Sequence, residues 1–317
     1  MIYPKFLNDN SKIKIISPSN GVTKNKKIER LELGKQLLVD EGFSITEDSY
    51  VRNSINGESS SSMNRAKELK NSIKENTNCL IAVSGGDYSI EIFNHYNLSD
   101  IKKNIKWIQG HSDITPILYY ITTKYDIATI YSYNFTTFGN SEILKEQLEY
   151  NINTLKGNIP IQKSFNINTN WTSLDADNLS FEGRIIGGCL DCLLDIVGTK
   201  FDYTKKFIER YKSEKIIWYF DVANLSNEAI LRGLWQLKNS SWFKNCVGIL
   251  FGKLDEEISY TGISKEEAIK RAISDLDVKV ITNVDLGHTD PVITIINGSY
   301  VKLSLKNGEG ILESILK

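Results

Sequence analysis

The sequence predicts an α/β protein of two domains, and three observations carry that prediction. Short apolar runs alternate with helical patterns from Lys12 to Tyr125, the order that builds a parallel sheet. A polar, asparagine-rich stretch from about 140 to 180, with Gly157, Pro160 and Trp171 scattered through it, then interrupts the alternation, as an inter-domain crossing or long loop does. Finally, 317 residues exceed the usual size of a single-core domain. The expected domains are residues 1–150, an N-terminal α/β domain with a parallel sheet of the Rossmann or flavodoxin kind, and 151–317, a C-terminal α/β domain with a mixed sheet or barrel.

The elements follow in order. Lys12-Ile13-Lys14-Ile15-Ile16 alternates and then turns fully apolar before Ser17-Pro18-Ser19-Asn20, which reads as a strand ending in a turn. Residues 24–42 carry Ile28, Leu31, Leu33, Leu37 and Leu38 at near-helical spacing, with Glu41-Gly42 as a stop. A strand at Ser44-Ile45-Thr46, a helix over 62–75 and the apolar strand 79–83, broken by Gly85-Gly86, continue the pattern. A strand at 105–109 runs into Gly110, and a helix begins near Ile114. Beyond the crossing, strands are expected at 216–220, 247–251 and 278–281, helices at 227–238 and 264–275, and an alternating run at 299–305.

Composition excludes several classes of function. A hydrophobic fraction of 41% with 24% charged residues is that of an ordinary globular protein. The 38 basic and 39 acidic residues leave a formal charge of −1, so no basic stripe offers the counterion release that drives binding to a nucleic-acid polymer. Nowhere do about 18 apolar residues follow one another, and Met1 to Lys12 hold no leader-like run. With four cysteines and no secretory signal, a cytoplasmic protein with reduced thiols is expected, without membrane attachment.

The strongest local feature is Gly110-His111-Ser112-Asp113-Ile114-Thr115, a serine where an apolar strand ends and a helix starts. A nucleophile elbow needs that turn, because it lifts the hydroxyl out of the sheet and aims backbone N–H groups at a developing oxyanion. On the local pattern alone a helix cap is the commoner reading of such a serine. A serine nucleophile also needs a base, and the chain has three histidines. His95 lies in a loop-like stretch without a partner signal, and His111 neighbours Ser112 on a turn where adjacent side chains diverge. His288, in Val284-Asp285-Leu286-Gly287-His288-Thr289-Asp290-Pro291, sits in a loop after an apolar strand, where catalytic groups tend to lie. A structural histidine satisfied by a neighbouring aspartate fits the same pattern.

Ser17-Pro18-Ser19, Gly85-Gly86, Gly110-His111-Ser112-Asp113-Ile114-Thr115, Glu182-Gly183-Arg184-Ile185-Ile186-Gly187-Gly188, Leu234-Trp235-Gln236-Leu237 and Gly287-His288 occur in this order. Together they resemble the LD-carboxypeptidases over nearly the whole chain, and Ser132 with Phe138-Gly139 and the Trp171 loop resemble the branch of microcin C self-immunity peptidases. The resemblance implies a Ser–Glu–His triad with Ser112 and His288 in place. Alignment on Arg232 and the Leu234-Trp235-Gln236-Leu237 helix puts the family's glutamate at Asp221, a departure by one methylene. It further implies an oxyanion hole from the N–H groups of Gly86 and Asp113, a triad assembled from both domains, and a homodimer. Tyr133-Asn134, where the family has Gly-Pro, and Asp87-Tyr88-Ser89 after the double glycine are departures near the expected pocket.

Two substrates fit this resemblance. An L,D-peptide at the end of a muropeptide calls for a cation on its terminal carboxylate, with Arg184 and Arg232 as candidates. An acyl-sulfamide or acyl-phosphoramidate aminoacyl nucleotide calls for an aromatic platform, with Trp171 as candidate and the loop of Asn168, Thr169 and Asn170 as its lid; the reading leans slightly to this second class, although Trp171 equally fits a loop anchor packed on the core. Gly85 is expected beside the substrate in either case. A non-catalytic binding protein on the same fold is the third reading. Cys189-Leu190-Asp191-Cys192 lacks a second CxxC and a nearby histidine, so ordinary helix packing is expected rather than a metal or redox site. No Gly-x-Gly-x-x-Gly or Gly-Lys-Ser/Thr pattern accompanies Gly187-Gly188, and neither cofactor nor metal is expected.

Overall fold

Each apolar run in the first part of the chain becomes a strand of one sheet. The computed structural model describes residues 1–317 apart from Asn168 and Asp255. It places β1 (Lys12–Ile16), β2 (Ser44–Glu47), β3 (Cys79–Ala82), β4 (Trp107–Gly110) and β5 (Thr129–Tyr131) in the order β2-β1-β3-β4-β5, every neighbouring pair parallel. The helices are α1 (Asn25–Asp40), α2 (Ser62–Lys74), α3 (Thr115–Tyr125), α4 (Phe135–Phe138) and α5 (Lys145–Lys156). Ile13, Ile15, Leu80, Ile81 and Ile108 are fully buried, and β3, buried along its whole length, reads as a continuous apolar run. In such a sheet the crevice for a ligand opens at the carboxyl ends of the strands where the order reverses, here between β1 and β3. Ser17-Pro18-Ser19 and Gly85-Gly86 follow those two strands, and Ser112 follows β4.

The second part builds a mixed sheet. Its strands are β6 (Gln162–Lys163), β7 (Thr172–Ser173), β8 (Asn178–Cys189), β9 (Ile216–Asp221), β10 (Cys246–Gly252) and β11 (Lys279–Val284). After β12 (Ile295–Asn297), which joins the first sheet beside β5, come β13 (Tyr300–Lys306) and β14 (Glu309–Ile315). The eight strands run β6-β14-β13-β8-β9-β10-β11-β7, parallel from β8 to β11 and antiparallel at both flanks. Helices α6 (Leu190–Leu194), α7 (Thr204–Arg210), α8 (Asn227–Asn239) and α9 (Lys265–Ile273) complete this part. Ser226 and Ser264 cap α8 and α9 by accepting from Ala229 N–H at 3.2 Å and Glu267 N–H at 3.1 Å.

Two compact units result: Met1–Ile159 with Thr294–Ile296, and Pro160–Ile293 with Asn297–Lys317. A boundary at 150 would cut α5, so the division falls after that helix instead. The polar stretch expected to be loop holds α5, β6, β7 and the start of β8. Asn158, Asn170 and Lys163 are exposed, while Tyr150, Asn151, Ile152 and Leu155 turn inward.

Candidate active site

Ser112 sits on a forced turn. Gly110, the last residue of β4, has φ +159°, and a Cβ there would lie 2.8 Å from both Asn134 Oδ1 and Ile114 Cγ2. Ser112 itself has φ +64°, a left-handed conformation that a non-glycine residue holds only where its surroundings over-determine it. Those surroundings are visible. The His111 N–H donates to Asn134 Oδ1 at 3.2 Å, the Ser112 N–H donates to the Tyr131 hydroxyl at 3.2 Å, and Thr115 Oγ1 donates to the Ser112 carbonyl at 2.6 Å. Asn134, a departure in the sequence, thus braces the turn; Tyr131 carried no signal beyond its place at a strand end.

The double glycine closes on the same serine. A Cβ on Gly85 would lie 3.1 Å from Ser112 Oγ, and one on Gly86, at φ +152°, would lie 2.2 Å from Ser19 Oγ. Backbone alone fits at Gly86, and Gly85 leaves little room beside the serine. Asp113 is buried, and its carboxylate accepts from the Ser89 N–H at 2.8 Å while its carbonyl accepts from Ser89 Oγ. Burial raises the Asp113 pKa above the usual carboxylate range, opposed by its hydrogen bonds to Ser19 and Ser89. Arg65, also buried, ties the two loops together by donating to the Pro18 carbonyl at 3.1 Å and the Tyr88 carbonyl at 2.7 Å.

In the second unit, β9 ends on Asp221, which is fully buried opposite Cys189 of β8. His288 Nδ1 lies 2.9 Å from the Asp221 carboxylate. A carboxylate only accepts, so Nδ1 carries the proton and Nε2 is left as the basic nitrogen. The His288 side chain keeps 29% of its surface exposed. Gly287, at φ +100°, makes the approach possible: a Cβ there would lie 2.0 Å from Asp221 Oδ1. His95 Nε2 is instead 3.0 Å from Ser62 Oγ.

Two expected substrate contacts are corrected. Trp171 is 1% exposed, and its indole N–H donates to Asp285 Oδ2 at 2.7 Å; it is a core anchor, not an open platform. Of the lid around it, Asn168 lies outside the described residues, while Asn170 packs beside Gly308. Arg184 is likewise 1% exposed: Nε and Nη2 each lie 2.9 Å from the Glu214 carboxylate, Nη1 donates to the Gly298 carbonyl, and the guanidinium stacks 4.0 Å above Tyr211. It is committed to structure. Arg232 is exposed on α8. Cys189 is the last residue of β8 rather than part of a helix, and its hydrogen bond to Cys192 together with burial holds its thiol well above the usual range, so it is no ready nucleophile. Among the described residues no helix is long and apolar enough to cross a membrane.

The LD-carboxypeptidase N-terminal domain matches residues 13–132, and the LD-carboxypeptidase C-terminal domain matches residues 182–303. The chain belongs to the LD-carboxypeptidase family. Relatives named as candidate carboxypeptidases include one from Vibrio cholerae, 24% identical with 92% of each chain covered, and one from Bacillus subtilis, 24% identical with 97% of each covered. Among solved structures, an MccF-like protein from Bacillus anthracis superposes with TM-score 0.81 at 22% identity over 100% of both chains. The microcin C7 self-immunity protein MccF in complex with aspartyl sulfamoyl adenosine gives 0.80 at 20% over 100% of both. A muramoyltetrapeptide carboxypeptidase from Oxalobacter formigenes gives 0.78 at 20% over 96% of this chain and 98% of that one. The chain shares their α/β fold, a parallel sheet followed by a mixed one.

Proposed function

We propose that the chain is a serine hydrolase cleaving an amide-type bond, with Ser112 as nucleophile, His288 as general base and Asp221 as the acid that orients it. The observation that carries this reading is the conformation of Ser112, held at φ +64° at the end of an apolar strand with Gly85 against its hydroxyl. A mere helix cap needs no left-handed serine: N-cap residues are ordinarily extended, and Ser226 does its capping at φ −68°.

In the proposed reaction, Ser112 Oγ attacks the acyl carbon and its proton passes to His288 Nε2. The N–H groups of Gly86 and Asp113 stabilise the oxyanion. Collapse of the tetrahedral intermediate expels the amine, which takes the proton back from Nε2. Water, deprotonated by the same nitrogen, then releases the acyl group from Ser112. Asp221 holds the tautomer that makes each transfer possible.

The leaning towards an aminoacyl nucleotide draws on Trp171 as a base-stacking platform and on the likeness of Ser132 and Phe138-Gly139 to the microcin C self-immunity branch; the burial of Trp171 removes the first and leaves the second. We therefore propose an L,D-peptide bond at the end of a muropeptide as the substrate to test first, in keeping with the family. Wild type and Ser112→Ala should be incubated with an L,D-tetrapeptide and, separately, with aspartyl sulfamoyl adenosine, products being read by mass. Release of the terminal D-residue by wild type alone supports the reading. Cleavage of the sulfamide alone would overturn the substrate, and failure of a fluorophosphonate to label Ser112 would replace the hydrolase with a binding protein.

A further inference from the structure

We propose that Lys253, Asp285 and Trp171 are positioning residues for His288, an inference that rests on reading His288 as the general base. His288 lies on a loop that leaves the end of β11 at Asp285 and returns at Ile293, whose N–H donates to the Asp285 carbonyl at 2.7 Å. The loop dips into apolar surroundings through Leu286, Val292 and Ile293, all buried. Apolar burial holds the loop down but is non-directional, and it does not orient an imidazole.

Directional contacts come from one buried network. The Asp285 side chain is fully buried and accepts from three donors on different segments: Lys253 Nζ at the end of β10, the Phe165 N–H at 2.9 Å and Trp171 Nε1 at 2.7 Å. Lys253, 4% exposed, grips the loop a second time through its backbone. Its N–H donates to the Val284 carbonyl at 3.2 Å, and its carbonyl accepts from Thr289 Oγ1, next to His288, at 3.4 Å. One residue thus holds the base of the loop with its ammonium and the tip with its carbonyl. Its neighbour Gly252 leaves no slack, since a Cβ there would lie 2.5 Å from the Leu286 carbonyl.

A buried ion pair is weak evidence for stability, because well-packed apolar residues often do as well; it is better suited to fixing one arrangement among several. What this pair fixes is the approach of His288 Nδ1 to Asp221. Trp171 belongs to the same device. Deleting its N–H would leave Asp285 Oδ2 one donor short and free the loop's base to shift.

The test compares Trp171→Phe, which keeps an aromatic ring and removes the donor, with Lys253→Met. Three readouts are taken: melting temperature, the second-order rate of Ser112 labelling by a fluorophosphonate, and the His288 Nδ1–H proton resonance, assigned by its absence in His288→Gln. In folded Trp171→Phe the resonance should broaden or vanish through exchange with water. Labelling should slow by about tenfold, within the roughly 10²-fold that an ångström of misplacement costs. A purely structural role moves melting alone. Wild-type resonance and labelling rate in folded Trp171→Phe would overturn the proposal, and should Lys253→Met fail to fold, Trp171→Phe decides. If wild type itself resists labelling, the hydrolase reading falls while the resonance still judges the positioning role.

Discussion

Replacing Gly287 by alanine tests the geometry of the histidine–aspartate pair most directly. A Cβ at this position would lie 2.0 Å from Asp221 Oδ1 and 2.4 Å from Cγ, against a floor of 3.0 Å for real Cβ contacts, so something must move by at least 3.0 − 2.0 = 1.0 Å. Asp221 is fully buried at the end of β9 and has no open space to swing into; the loop carrying His288 must lift. A shift of that size stretches the 2.9 Å contact beyond hydrogen-bond reach. Placing a side chain at φ +100° adds backbone strain of about 1–3 kcal/mol, or about 2–12 °C in melting temperature at roughly 2–4 °C per kcal/mol.

Gly198→Ala separates strain from collision, because Gly198 has φ +75° with nothing within 4 Å of the added Cβ. Both variants should lose stability. Gly287→Ala alone should slow fluorophosphonate labelling of Ser112, by about 10²-fold. A wild-type labelling rate in Gly287→Ala, or an equal loss in Gly198→Ala, would refute the argument that contact with Asp221 sets the imidazole.

Ser112→Ala and His288→Ala should each remove nearly all turnover, and the double variant should be little worse than either, as for groups acting in one step; additive losses in steady-state kinetics would separate them. Asp221→Asn should fold normally yet cost on the order of 10⁴-fold in turnover through the wrong tautomer, while Asp221→Glu, whose extra methylene meets Gly287, should lower both melting temperature and labelling rate. Asp113 supplies a pH test. Burial raises its folded pKa, so its contribution to stability is full below the unfolded value of about 3.9 and is lost as pH rises through the folded value. The melting temperature of Asp113→Asn minus that of wild type should therefore climb as pH rises from about 4; a constant difference would refute the assignment.

The parallel sheet was legible because β3 and the end of β1 are buried and announce themselves as apolar runs bounded by turns. Ser112 and His288 could be named for a related reason: each follows such a run, where a sheet presents chemistry. What stayed hidden depended on partners far away in the chain. Nothing near Arg184 reveals that Glu214, thirty residues on, will neutralise it, or that Gly298 will occupy a further donor, so a buried structural arginine read as a free cation. Trp171 lies in a polar stretch that suits a lid, yet the acceptor of its indole N–H is Asp285, 114 residues away. Asp285 itself was quoted beside His288 without a role, because a buried ion pair is visible in sequence only when both partners are known.

Aspartate at 221 is one methylene shorter than the glutamate implied by the family pattern, yet its carboxylate lies 2.9 Å from His288 Nδ1. The carboxylate does not reach out: it remains fully buried at the end of β9, in register with Cys189. The backbone at Gly287 lies so near it that no Cβ fits. That approach has a cost in freedom, since it needs a residue without a side chain at φ +100° and a loop held firmly from its other side. Lys253 and Asp285 hold that side. If His288 acts as the base proposed above, the 2.9 Å contact from the shorter acid is the one that orients it.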